Sequence, residues 1–207
     1  MPLHLVEHPL VQDALRTLRD TATAQELFRR ETARISRLLT AEALRDLPVS
    51  GVTVQTPLGP AAGGRVAVDV VVIPVLRAGL GMLDAVLELV PTARVGHIGL
   101  QRDERTAIAS QYYAKVPSGL ADAYVLVIDP MLATGGSAVA ALDLLRNAGA
   151  RRIRLVCIVA APEGVAAVEA AHPDVAIYTP VVDEGLNAHK FIVPGLGDFG
   201  DRLYGTL

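Results

Sequence analysis

The sequence predicts an α/β fold. A parallel central sheet with crossover helices is preceded by a helical segment, interrupted by a flexible hairpin and closed by an irregular C-terminal cap. Three observations carry this expectation. Short, continuously apolar, β-branched runs recur at residues 70–75, 95–100, 124–128, 153–159 and 175–178. Helix-length stretches rich in Ala and Leu lie between most of them, as expected for strands that crossover helices bury on both faces. The chain has 207 residues, 51% of them hydrophobic and 20% charged, which suits one domain with a full core and is too short for two large ones.

Residues 1–65 read as a helical segment followed by a strand. Over residues 25–47, Leu27, Phe28, Ile35, Leu38, Leu39 and Leu44 recur at three- and four-residue spacing, with the arginines facing outward. Thr23 and Glu26 match a capping box at the start of that helix. Residues 49–58 read as a half-exposed strand, because Val52 and Val54 alternate with Thr53 and Gln55, and Gly59-Pro60 and Gly63-Gly64 read as turns. Residues 66–178 form the α/β core. Within it, residues 101–120 are polar, carry Arg102, Asp103, Glu104 and Arg105, and lack a helical period. A loop this long in a compact domain is usually functional or disordered, so it reads as a mobile hairpin or lid. Residues 179–207, with five glycines and two prolines, form a folded but irregular cap. No repeat, linker or low-complexity tract divides these segments, which belong to a single domain.

Composition narrows the function. Nineteen basic and 22 acidic residues give a net charge of −3 without any block of one sign, which argues against nucleic-acid and membrane-surface partners. Cys157 is the only cysteine, so an internal disulfide framework and a Cys-based zinc site are excluded; it reads as a small buried hydrophobe within an apolar run. His4, His8, His97, His172 and His189 are scattered without metal-ligand spacing and read as surface or packing residues. There is no G-x-S-x-G elbow. The start lacks the basic-then-apolar order of a signal peptide, and Asp69 interrupts the apolar run at 66–76, so a cytoplasmic protein is expected.

The strongest local signal is Asp129-Pro130-Met131-Leu132-Ala133-Thr134-Gly135-Gly136-Ser137, between a buried strand and a helix that Gly149 ends. The glycines let backbone N–H groups approach an anion, Thr134 and Ser137 add hydroxyls, and the helix N-terminus adds partial positive charge. No Lys follows the glycines, so this is not a nucleoside-triphosphate P-loop. Asp129 ends a central strand, where α/β sheets bind ligands. A second strand ends in Arg77, followed by Ala78, Gly79, Leu80 and Gly81. Near the C-terminus, Gly195, Gly197 and Gly200 spell a G-x-G-x-x-G, but no crossover helix or later acidic residue follows, so the dinucleotide reading fails. The glycines there let main-chain groups come close to a flat ligand.

The strand, the acidic residue and the Ala-Thr-Gly-Gly-Ser turn resemble the phosphoribosyl-pyrophosphate motif of type I phosphoribosyltransferases. Most of that superfamily carries two adjacent acidic residues here; Asp129 followed by Pro130 resembles the uracil phosphoribosyltransferases. Glu184-Gly185-Leu186-Asn187 and residues 192–201 resemble that family's base-binding cap, and the resemblance extends to His8-Pro9-Leu10-Val11 and Ala160-Ala161-Pro162-Glu163-Gly164. It implies transfer of the phosphoribosyl group of 5-phospho-α-D-ribose 1-diphosphate to N1 of uracil, giving UMP and pyrophosphate. Asp129 would then serve the ribose hydroxyls and the developing oxocarbenium. Pro130, Met131, Leu132, Ala133, Thr134, Gly135, Gly136 and Ser137 would hold the phosphoribosyl moiety, with residues 133–137 at its 5′-phosphate, and Arg77 and Arg102 would hold the pyrophosphate. Mg²⁺ would ride on substrate oxygens with Asp198 as a partner through water, and Ile192, Gly197, Asp198 and Phe199 would bind uracil, Phe199 tightening the pocket. The resemblance transfers no role to Tyr112, Tyr113 or Lys115. A GTP effector, at no located site, and a homo-oligomer supported by exposed apolar residues of the N-terminal helices complete the expectation. Two alternatives stand beside it: a phosphoribosyltransferase for another nucleobase, and a phosphoribosyl-pyrophosphate-binding regulator without activity.

Overall fold

In the computed structural model the described residues are 3–102 and 109–206, without the side chains of residues 102, 109 and 110. A short strand β1 (Leu3–Leu5) and helices α1 (Pro9–Arg19) and α2 (Gln25–Ala43) lead to β2 (Val49–Thr56) and β3 (Gly59–Val66). Then come β4 (Val70–Leu76), α3 (Leu80–Leu89), β5 (Arg94–Val95), β6 (His97–Arg102), β7 (Ala109–Lys115), β8 (Tyr124–Ile128), β9 (Met131–Leu132) and α4 (Gly136–Asn147). They are followed by β10 (Arg152–Val156), β11 (Val159–Ala160), α5 (Pro162–Ala171), β12 (Ala176–Thr179), β13 (Gly185–Leu186), β14 (Ile192–Val193) and α6 (Phe199–Tyr204).

The central sheet runs β1-β12-β10-β8-β4-β6-β7, with β5 beside β4, and every pair is parallel except β6 with β7. Alternation along the strands divides the core in two. Val72, Leu126, Ile128 and Val156 pack with residues of α1, α2 and α3, whereas Val71, Ile73, Val125, Val127 and Leu155 pack with α4 and α5. Each fully buried aliphatic side chain contributes about 1.5–3 kcal/mol, so the continuously apolar β4 and β8 anchor both layers. Their register sets Ile73 against Val127 and Pro74 against Ile128, which brings the residues after both strands, Arg77 and Asp129, to one edge of the sheet. No helix among the described residues is long and apolar enough to cross a membrane.

Several local expectations change. The capping box does not form: Ala24 is the N-cap of α2, and the Thr23 hydroxyl donates instead to the Thr17 carbonyl at 2.6 Å, tying α2 to α1. Gly59-Pro60 and Gly63-Gly64, expected as turns, lie within β3, which pairs with β2 around Pro57-Leu58. The run at 153–159 is two strands, because after Val156 the chain leaves the sheet and Ile158 and Val159 donate to the Pro130 carbonyl at 2.9 and 3.0 Å. The apolar stripes of α1 and α2 are buried, with Phe28, Ile35 and Leu39 at 0% exposure. Leu10 of α1 is exposed, and further exposed apolar surface lies on the β2–β3 hairpin, where Leu58 is fully exposed. The expected excursion is a hairpin of β6 and β7, with a register shift between Gly99 and Leu100; residues 103–108 and the Arg102 side chain lie outside the described residues.

Candidate active site

Three loops meet at the carboxyl edge of the sheet. The first follows β4, where the Leu76–Arg77 peptide is cis and Arg77 is exposed. A Cβ on Gly79 would stand 2.5 Å from the Ile128 carbonyl and 2.7 Å from Val75 backbone atoms, so only glycine lets this loop fold back onto its strand. The Tyr204 hydroxyl donates to the Arg77 carbonyl at 3.1 Å, fastening α6 to this loop. Burial holds the Tyr204 phenol above its ordinary range, partly offset by the charges of Arg77 and Arg29.

The second loop follows β8. The Asp129 N–H donates to the Val156 carbonyl at 3.1 Å, and the Pro130 carbonyl holds the chain beyond β10. β9 pairs with β11, Leu132 opposite Ala160, and the Ala161 N–H donates to the Leu132 carbonyl at 2.8 Å. Gly135 is left-handed with φ 81° and caps α4, while the Gly136 N–H points to the Thr134 hydroxyl at 3.4 Å. A recess of about 30 Å³ lies here, lined by Asp129, Gly135 and Ser137 among others, at the N-terminus of a 12-residue helix. The N–H groups of a helix N-terminus and the Ser137 hydroxyl adjoin it, the kind of polarity that favours anions.

The third loop belongs to the cap. Gly195 and Gly197 are left-handed with φ 59° and 81°, and the Val193–Pro194 peptide is cis. Asp198 caps α6, its Oδ1 accepting from the Asp201 N–H at 2.9 Å. A cavity of about 290 Å³ is bounded by all three loops: Ala78 from the first, Met131 and Ala133 from the second, Ile192, Gly197, Asp198 and Phe199 from the third.

A family profile described as uracil phosphoribosyltransferase matches residues 5–206. The chain belongs to the uracil phosphoribosyltransferase family. Uracil phosphoribosyltransferase of Symbiobacterium thermophilum is 53% identical over 203 residues, covering 98% of this chain and 97% of its own. That of Geobacillus kaustophilus is 50% identical over 205 residues, covering 99% and 98%. A solved Aquifex aeolicus protein superposes with a TM-score of 0.93 at 36% identity over 98% of both chains. A hypoxanthine-guanine phosphoribosyltransferase of Bacillus anthracis, at TM-score 0.53 and 12% identity over 77% of this chain and 80% of its own, shares the fold alone.

Most of the residues expected at the site of this uracil phosphoribosyltransferase family member adjoin one cavity or the recess beside it. Phe199 borders the cavity, yet its ring packs on Phe28 with centroids 5.3 Å apart and is 2% exposed, which assigns the side chain to the core rather than to a tighter pocket wall. His189, Lys190 and Phe191 also line the cavity, a segment the sequence reading passed over. The signal was Asn187: its Oδ1 accepts from the His189 and Phe191 N–H groups at 2.9 and 3.0 Å, an Asx turn that holds Lys190 at φ 64°. Three other histidines have structural surroundings: His8 caps α1, His4 stacks on Tyr178, and His172 is buried beside Asp143. Among the described residues no three His, Cys, Asp or Glu side chains are grouped to hold a metal ion.

Proposed function

We propose that this chain transfers the 5-phosphoribosyl group from 5-phospho-α-D-ribose 1-diphosphate to N1 of uracil, giving UMP and pyrophosphate in pyrimidine salvage. The observation that carries this reading is the single cavity bounded by all three motif loops, in a chain whose family match spans residues 5–206.

Breaking the bond from the sugar to pyrophosphate builds positive charge on the ribose ring and negative charge on the leaving group. A site for it needs anion holders and a carboxylate more than a covalent nucleophile, so positioning and electrostatics carry the rate. In this reading Asp129 binds the ribose hydroxyls and stabilises the developing oxocarbenium. Thr134, Gly135, Gly136 and Ser137 hold the 5′-phosphate with main-chain N–H groups and hydroxyls, and Arg77 with Arg102 holds the pyrophosphate. Mg²⁺ neutralises diphosphate charge when bound, with Asp198 as its water-bridged partner. The β6–β7 hairpin, which carries Arg102, closes over the substrates and excludes water.

Uracil presents an N3–H donor between two carbonyl acceptors, an edge that main-chain groups near Ile192, Gly197 and Phe199 can match. Cytosine mismatches at two positions, and each unpaired buried group costs about 1–3 kcal/mol, so the two together give discrimination of about thirtyfold or more. The reading also includes a cytoplasmic location, a GTP effector and a homo-oligomer. Support for the oligomer has moved to the β2–β3 hairpin, whose Val49, Val54, Leu58 and Val66 are exposed; a lone two-stranded hairpin is marginal in water.

The test is product formation from phosphoribosyl pyrophosphate and Mg²⁺ with uracil, cytosine, hypoxanthine, adenine and orotate, with and without GTP, repeated with Asp129→Asn. Turnover of uracil alone, greatly reduced by the substitution, is the expected result. Turnover of another base refutes the reading of the cap. Substrate binding without turnover favours the regulator.

A further inference from the structure

The turn at residues 195–198 that borders the base cavity is held from behind by side chains distant in sequence. Arg19, at the end of α1, donates to both carboxylate oxygens of Asp183 at 2.7 and 3.0 Å and to the Gly195 carbonyl at 3.1 Å. Asp183 in turn accepts from the Gly195 N–H at 2.9 Å, so both main-chain polar groups of Gly195 are engaged. The Asp183 side chain is 4% exposed and that of Arg19 is 24% exposed. Asp183 is itself rooted in the core: its N–H donates to the Ala160 carbonyl at 2.8 Å, and Ala160 pairs with Leu132 of the phosphoribosyl loop. Backbone pairing and two short hydrogen bonds thus connect Leu132, Ala160, Asp183 and Gly195 in sequence, linking the sugar side of the site to the base side.

We propose that Arg19 and Asp183 are positioning residues for the nucleobase: a part-buried guanidinium on a buried carboxylate that together fix the Gly195–Gly197 turn relative to the phosphoribosyl loop and thereby set base affinity and selectivity. The inference rests on the uracil-transfer reading of the cavity. Backbone recognition needs such a device, because left-handed glycines define a shape without holding it, and a bidentate Arg supplies fixed fork geometry that Lys does not. Arg202 reinforces it, donating to the Leu196 carbonyl at 2.8 Å and to the Leu18 and Asp20 carbonyls, with its guanidinium over the Phe28 ring.

The experiment measures separate KM values for uracil and phosphoribosyl pyrophosphate, and the ratio of kcat/KM for uracil to that for cytosine. It compares the wild type with Arg19→Lys and with the double variant Arg19→Met/Asp183→Asn. The double variant removes both charges, because leaving one buried and unpaired would threaten folding; circular dichroism and thermal melts report whether each chain folds. The expected result is a uracil KM raised about tenfold or more in the double variant and less in Arg19→Lys, with base selectivity falling in step. The phosphoribosyl-pyrophosphate KM should stay within about twofold. A merely structural pair would move both KM values together or neither, and either outcome in a folded variant overturns the proposal. If neither variant folds, the pair serves stability alone and the proposal falls. A wild-type chain that turns over no uracil refutes the functional reading and this role with it, whereas turnover with an unchanged uracil KM in folded variants refutes the clamp alone.

Discussion

Gly164 lies in the first turn of α5, outside the substrate cavity and behind the phosphoribosyl loop. Helix propensity alone says that Gly164→Ala should stabilise the chain by at most about 1 kcal/mol. The structure says otherwise: the added Cβ would stand 2.5 Å from the Ala133 carbonyl oxygen and 2.6 Å from that of Leu132, against 3.4 Å for ordinary contact. Both neighbours are backbone atoms that cannot rotate aside, so the loop or the helix must move by most of an ångström. Overpacking of this kind costs about 1–3 kcal/mol, leaving a net loss of up to about 2 kcal/mol and a Tm lowered by up to about 4–8 °C. The catalytic effect should be larger. Misplacing a phosphate-holding loop by about 1 Å can cost about a hundredfold in rate, because the reacting atoms leave their aligned geometry. Steady-state kinetics should therefore show kcat/KM for phosphoribosyl pyrophosphate falling by about two orders of magnitude while a melt shifts only a few degrees. A folded variant whose kcat/KM stays within about threefold of wild type would refute the argument that α5 sets the loop's position.

Gly149→Ala should act on stability alone: φ is 92° with nothing within 4 Å of the added Cβ, so the left-handed penalty of about 1–2 kcal/mol lowers Tm while kinetics stay at wild-type values. Tyr204→Phe removes the hydroxyl that donates to the Arg77 carbonyl, and should raise the KM for phosphoribosyl pyrophosphate several-fold with little change in that for uracil. Gly197→Val forces a β-branched residue to φ 81° beside the base, and calorimetry should find uracil binding lost while phosphoribosyl-pyrophosphate binding persists. Burial pushes the Cys157 thiol from 9.0 up to about 12, so a chromogenic disulfide reagent at pH 8 should leave it unmodified until the chain unfolds. Because the folded state holds this proton more tightly, its contribution to stability is intact below pH 9 and is lost as the pH rises toward 12.

What the sequence revealed about this fold depended on how local the signal was. The strands β4, β8 and β12 were legible because burial on both faces leaves nearly unbroken apolar runs. The loop from Asp129 to Ser137 was legible because one short segment contains both the end of a buried strand and the glycine turn that opens α4. β3 was not: Gly59, Pro60, Gly63 and Gly64 are ordinarily turn residues, and here they lie in a strand paired along its length with the adjoining β2. The break after Val156 was invisible because Cys157, Ile158 and Val159 remain fully buried while their hydrogen-bonding partners change. The capping box failed because α2 is capped at Ala24, one residue beyond Thr23, whose hydroxyl donates to the Thr17 carbonyl of α1.

The clamp at Gly195 shows the same boundary at the site itself. The glycine-rich turn could be read from adjacent residues, since positive φ is a local demand. Its supports could not, because Arg19 is 164 residues from Asp183 and Arg202 is 184 residues from Leu18. A site that recognises its ligand through main-chain groups faces a particular problem: the recognising atoms have no side chain of their own to be packed. Their placement must come from neighbours that bond the same peptide units from the far side, where a second cavity of about 340 Å³ is lined by Arg19, Leu196 and Arg202. Charged donors suit that task, because hydrogen bonds from a guanidinium are stronger than neutral ones and one planar group can hold a carboxylate and a carbonyl at once. On the proposed clamp, selectivity for a flat, uncharged base should be lost by loosening residues that never touch it, before any group lining the cavity is changed.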